Sequence, residues 1–198
     1  ERSETPRYLV ADAKLYNEDN AANLAKLGFI TRIPGTLKLV SQVLTQALTW
    51  DLWQRLDETT RYHRMALCHY GMAQRWLVVS SQAALERAEA SVTKGQQREL
   101  QAIAKQLLHL HAKRFETPEA AHTALAALAK SWRYHQVETS RVLEHKHYAG
   151  KGRPTPSSPI KSLDWQIQAQ VRPDHERIES RKQQGACFVI GTHIATRQ

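Results

Sequence analysis

From Tyr8 to Leu48 the chain alternates two short apolar runs with two stretches of helical spacing, and only short connections separate them. Tyr8-Leu9-Val10-Ala11 reads as a short buried strand ending on Asp12. Asn17 to Leu27 has helical periodicity, with Ala22, Leu24 and Leu27 apolar and Gly28 as its stop. Phe29-Ile30-Thr31-Arg32-Ile33 is a second strand closed by Pro34-Gly35, and Thr36 is placed to cap a helix through Leu37, Val40, Val43, Leu44 and Leu48. Strand, helix, strand, helix predicts two adjacent parallel strands, because parallel neighbours need a crossover connection. Residues 1–49 are therefore an α/β segment, too small to be a domain alone. A carboxylate at the carboxyl end of such a strand lies where open α/β sheets receive ligands, which makes Asp12 the leading candidate. The plainer reading is that Asp12 caps the turn into the next helix.

The texture changes after Trp50, and residues 50–198 read as a second, mixed and largely helical region. Arg61–Gly71 and Gln74–Ser80 form a strand pair around a turn containing Gly71. From Gln82 to Phe115 a helical pattern carries Leu85, Ala88, Val92, Leu100, Ile103, Leu107 and Leu110, interrupted by Gly95. Thr117-Pro118 restarts a helix as N-cap and first-turn proline, with Leu125, Leu128 and Trp132 on its face, which predicts an antiparallel helical hairpin. Gly150–Pro159 is a loop holding Lys151 and Arg153. Trp165–Val171 alternates as a half-exposed strand, His175–Gln184 reads as a charged helix, and Ala186–Ile190 as a final buried strand. The chain opens on Glu1 and closes on Gln198, each next to a strand-like run, so both ends read as cuts through a larger protein.

Lys and Arg number 28 against 19 acidic residues, a net charge of +9 that favours a polyanionic partner, either nucleic acid or an anionic membrane. No run reaches the roughly 20 apolar residues needed to cross a bilayer, and no signal-peptide pattern opens the chain. Cys68 and Cys187 lack metal or disulfide spacing and read as buried or inert thiols in a reducing, cytoplasmic compartment. Nucleic acid is the expected partner. Residues 141–198 hold ten Lys/Arg against five acidic residues, including Lys151, Arg153, Lys161 and Arg172. Trp76, Trp132 and Trp165 suit either stacking on an unpaired base or core packing, and the apolar surroundings of the first two favour the core. His109 and His111 diverge on a helix and share no ion easily. His145 and His147 could share one on a strand but lack a nearby Cys or acidic partner in sequence. No phosphate-binding or dinucleotide glycine motif and no GxSxG elbow is present.

Four segments together resemble one family. Val10-Ala11-Asp12-Ala13-Lys14-Leu15-Tyr16 is similar to the V-A-D-S-A-L-Y segment around the second aspartate of DDE-type insertion-sequence transposases, in the group with a large insertion before the glutamate. Phe29-Ile30-Thr31-Arg32-Ile33-Pro34 followed by Thr36-Leu37-Lys38 resembles that family's F-I-T-R-V-P and T-L-K. Arg75-Trp76-Leu77-Val78-Val79 resembles its R-W-L-V-V, and Gly185–His193 its closing F-I-L-A-T-N strand. Ala13-Lys14 and His193 depart from the pattern, and residues 95–147 match only as a helical hairpin. The resemblance implies a partial RNase H-like core (β-α-β-α) in residues 1–49, an insertion domain in 50–198, and two-metal phosphoryl transfer on DNA. Asp12 would then be a catalytic carboxylate binding Mg²⁺ or Mn²⁺, two ions that such chemistry holds roughly 3.5–4 Å apart. It further implies transposon-end and target duplexes as partners and a homodimer assembled on DNA. The basic surplus fits phosphate contacts from Arg32, Arg75, Lys151, Arg153, Lys161 and Arg172, the alternative for each being a solvated basic surface. The first aspartate and the glutamate are expected outside this chain, which should not catalyse transposition alone. The alternatives are a non-catalytic basic helical module that binds nucleic acid, with Asp12 only a cap, or an inactive remnant of a mobile element.

Overall fold

A computed structural model describes residues 9–26, 28–150, 153, 155 and 157–193. In chain order its elements begin with β1 (Leu9–Ala11), a 3-10 turn at Ala13–Leu15, α1 (Glu18–Lys26), β2 (Phe29–Arg32) and α2 (Lys38–Trp50). Then come β3 (Gln54–Arg55), β4 (Thr60–His69), β5 (Met72–Ser81), α3 (Gln82–Ala112) and α4 (Pro118–Ala129). The remainder is β6 (His135–Tyr148), β7 (Ile160–Pro173), α5 (His175–Gly185) and β8 (Cys187–His193). The chain is thus mixed α/β. It divides into two compact units, one of Glu1–Ala90 with Ser180–Gln198, the other of Ser91–Glu179.

The first unit is built on a six-stranded sheet in the order β1-β2-β8-β5-β4-β3. β1 and β2 pair in parallel, Leu9 opposite Phe29, as the strand–helix–strand pattern requires, and every other pairing in the sheet is antiparallel. Strands from both sides of residue 50 therefore share one sheet, and β8 fills the place between β2 and β5. On one face Tyr16, Phe29, Ile33, Trp76, Val78 and Val189 pack with Leu24 of α1 and with Val40, Val43 and Ala47 of α2. Asn17 starts α1, its Oδ1 accepting the Asn20 amide at 2.9 Å. Thr36 does not cap α2, which begins at Lys38 with Leu37 in the cap position and no side-chain capping bond. β1 is a strand but not a buried one. At the sheet edge Leu9 is 39% and Val10 73% exposed, while Tyr8 lies outside the described residues. β4 and β5 turn through Tyr70 (φ 51°) and Gly71 (φ 72°), two left-handed residues whose twist matches that of the strands they join.

The second unit has its own core of Ile103, Leu107, Leu110, Ala121, Leu125, Trp132 and Ile167. Thr117 caps α4 as expected, its hydroxyl accepting the Ala120 amide at 3.1 Å. Gly95 does not interrupt the preceding helix: α3 runs unbroken, and the glycine makes room for Tyr134, whose hydroxyl would lie 2.7 Å from any Cβ placed there. Leu100, expected in the buried stripe, is 48% exposed. The larger departure is β6. It pairs along its whole length with β7 as a two-stranded ribbon; the sequence pattern predicts a strand at Trp165–Val171 beside the helical hairpin, but none over His135–Tyr148. The unit is therefore less helical than its sequence suggests.

Candidate functional site

Asp12 follows β1 at its carboxyl end with extended backbone (φ −78°, ψ 177°), and its Oδ1 accepts the Lys14 amide at 2.8 Å. It therefore caps the 3-10 turn, the plainer of the two readings. It is also exposed, and no described residue bonds its second carboxylate oxygen. Its main chain is held from the neighbouring parallel strand, where buried Thr31 has its hydroxyl 2.8 Å from the Asp12 carbonyl oxygen and 3.0 Å from that of Ala11. Among the described residues no group of three His, Cys, Asp or Glu side chains is gathered to hold an ion. The described residues thus do not build a two-ion centre. Asp12 offers one hard oxygen ligand, fixed at the backbone and open to solvent.

Four residues on, Tyr16 anchors the same segment to the β4–β5 hairpin through a buried polar network. Its hydroxyl donates to Gln74 Oε1 at 2.9 Å, and Trp76 Nε1 donates to the same oxygen at 2.9 Å. The amide of Gln74 donates to the His69 carbonyl at 2.9 Å, which fixes its orientation. With the tyrosine proton already given to Gln74, the 2.7 Å contact to His69 Nδ1 must be an N–H donated by the histidine, so His69 carries its proton on Nδ1 and its lone pair on Nε2. Burial pushes the Tyr16 hydroxyl up to about 12, because the Gln74 bond only partly offsets it, and burial pushes His69 below its ordinary value. The neutral forms of both suit the network. Neither Tyr16 nor His69 was singled out by periodicity, since this arrangement joins residues more than fifty positions apart.

The basic residues read from sequence fall into two groups. Arg32 on β2 and Arg75 on β5 are exposed, and strand register puts them on one face of the first sheet. Arg32, Ile190, Leu77 and Arg64 form one cross-strand row, and Ile30, Thr192, Arg75 and Ala66 the next. The face therefore has a third arginine, Arg64, which sequence reading missed although β4 alternates. Arg32 lies 5.2 Å from the Phe188 ring and Arg64 5.3 Å from that of Tyr62, so these guanidiniums are braced rather than free-swinging. Arg153, Lys161 and Arg172 are exposed in the second unit, and Lys151 lies outside the described residues.

Trp76 is fully buried and Trp132 4% exposed, so neither can stack on a base, while Trp165 is half-buried in β7. The histidine pair does have an acidic partner, supplied by the ribbon: His147 Nε2–H donates to Asp164 at 2.6 Å, and His145 is the register partner of that aspartate. His145 itself donates to Gln166 at 2.9 Å. His111 Nε2 accepts the Ala169 amide at 3.2 Å, which gives it a structural role. Cys68 is exposed, so the buried alternative does not hold for it; Cys187 is half-buried, and burial raises its thiol despite a Ser80 hydrogen bond and the nearby charge of Arg61. No helix is long and apolar enough to cross a membrane among the described residues. Comparison with family models, with curated proteins and with solved structures finds no match to this chain.

Proposed function

We propose that the chain is part of a DDE-type transposase, with residues 1–49 in an RNase H-like core, Asp12 as one of its metal-binding carboxylates and Mg²⁺ or Mn²⁺ as the ion. The observation that carries this reading is the setting of Asp12. It stands at the carboxyl end of a strand with a parallel neighbour, its carboxylate meets solvent, and Thr31 ties its backbone. That is where an open α/β sheet presents ligands, and it falls within the segment resembling the family's second aspartate. The exposed arginine face supports a phosphate-rich partner, here the transposon-end and target duplexes, with a homodimer as the assembled form.

The test is strand cleavage by a protein that supplies all three carboxylates. Asp12→Ala should lower cleavage of transposon-end DNA by roughly a hundred- to a thousandfold, the scale on which loss of a key charge-stabilising group acts, while end binding stays within about twofold. Cleavage that survives the substitution would remove Asp12 from the chemistry. A second reading has its own observation: because Asp12 caps a turn and, among the described residues, no acidic or histidine cluster is gathered to hold an ion, the chain can serve as a basic nucleic-acid-binding module without catalysis. It predicts DNA binding that is indifferent to divalent ions.

A further inference from the structure

On the first unit, away from β1, Arg55 of β3 and Arg61 of β4 stand directly opposite one another in the strand register. Like charges in that position repel, and a sheet ordinarily avoids them. Neither guanidinium forms a salt bridge with a described carboxylate. Arg55 spends its Nε on the Asp57 carbonyl at 3.0 Å, leaving its terminal nitrogens unbonded by any described residue. Arg61 has its guanidinium carbon 4.7 Å from the Trp53 ring centroid, a contact that orients the planar fork without using its donors.

Both arginines line a cavity of about 380 Å³, with Trp53, Thr60, Ser80 and Ser81 also on its walls. A second lobe of about 380 Å³ shares Trp53, Arg61 and Ser80 with the first. The carboxylates nearby are Asp57 and Glu58 in the first lobe and Asp51 in the second, and Asp57 Oδ1 is already taken by the Thr59 amide at 2.8 Å and hydroxyl at 3.1 Å. The Trp53 ring continues through an edge-on contact with His63 to Trp50, which is 52% exposed. Leu52 and Leu56, in the same connection, are each 65% exposed.

We propose that this cleft binds the phosphodiester backbone of a nucleic acid strand, with Arg61 and Arg55 gripping one phosphate and the Trp50–Trp53 segment meeting the adjoining sugar or base. An anion between the two guanidiniums turns their repulsion into shared, charge-assisted hydrogen bonding. The aromatic and aliphatic surface alongside has no use for a bare phosphate ion but suits a nucleotide. The site is separate from Asp12 and does not rest on the transposase reading.

The experiment follows the Trp53 indole N–H resonance of the whole chain during titration with a fifteen-residue oligothymidylate and, separately, with inorganic phosphate. The expected result is a saturable shift with the oligonucleotide at a Kd at least tenfold tighter than with phosphate. Arg61→Gln, checked for fold by circular dichroism, should weaken that binding tenfold or more, and Arg61→Lys should restore only part because it returns charge without the fork. No shift, equal affinity for free phosphate, or an Arg61→Gln titration like the wild type would each overturn the proposal. Asp12→Ala should leave the titration unchanged, so failure here and failure of the transposase reading are told apart.

Discussion

Glu99 accepts three hydrogen bonds at once: the backbone amides of Arg133 and Tyr134 at 2.6 and 2.7 Å, and the Nδ1–H of buried His135 at 2.9 Å. Burial alone would raise its carboxyl, but the histidine and the two amides outweigh it and hold the group below the ordinary glutamate range. A carboxyl whose folded pKa is depressed stabilises the fold fully above its unfolded value and loses that contribution as pH falls through the folded one. Glu99→Gln should therefore cost about 1–3 kcal/mol near neutral pH, the range for a charged hydrogen-bonding group. Urea unfolding at a series of pH values checks this: the gap between variant and wild type should close as pH drops below the ordinary carboxylate range. A gap that stays constant would mean the carboxylate charge contributes nothing. Asp12 is the opposite kind of residue, open on one side and held by its backbone, which suits a group that must meet something from outside the fold.

At the scale of the element, the caps and turns obey local chemistry, and so do the parts of the fold that sequence reading finds. Thr117-Pro118 is read correctly because the capping hydroxyl and the missing proline N–H act within one helical turn. Thr117→Ala should lower stability by about 1 kcal/mol, measured as a shift in the unfolding midpoint at unchanged denaturant slope. The β4–β5 hairpin, β7, α5 and β8 likewise announce themselves by alternation or by charge. β6 does not. Its apolar residues Val137, Val142 and Leu143 keep no regular period, its register shifts between Val137 and Thr139, and no core backs the far end of the ribbon, where Ile160 and Leu163 are exposed. Periodicity records burial, and a strand with little buried surface leaves little record. The same limit hid the cleft: Arg55 and Arg61 are unremarkable six residues apart and become a pair only when β3 folds against β4.

For the whole molecule, the net charge of +9 matters through where it is displayed. Arg32, Arg64 and Arg75 share one sheet face, so they should act together on a duplex. Replacing all three with Ala is expected to flatten the plot of log affinity against log salt by about 2–3 units of slope, since each phosphate contact contributes about 0.9. Fluorescence anisotropy with a labelled duplex from low to moderate salt reads this directly. An unchanged slope would mean that this face makes no phosphate contacts. The position of β8 bears on how the molecule is made. Its neighbours β2 and β5 leave the ribosome long before it does, and the gap from Ser81 at the end of β5 to Cys187 takes about 5–21 s at roughly 5–20 residues per second. Throughout that interval the nascent chain has two strand edges with no partner between them. The first unit can close only after the second has been synthesised, so its yield in a cell should depend on how well chaperones shield those edges during translation.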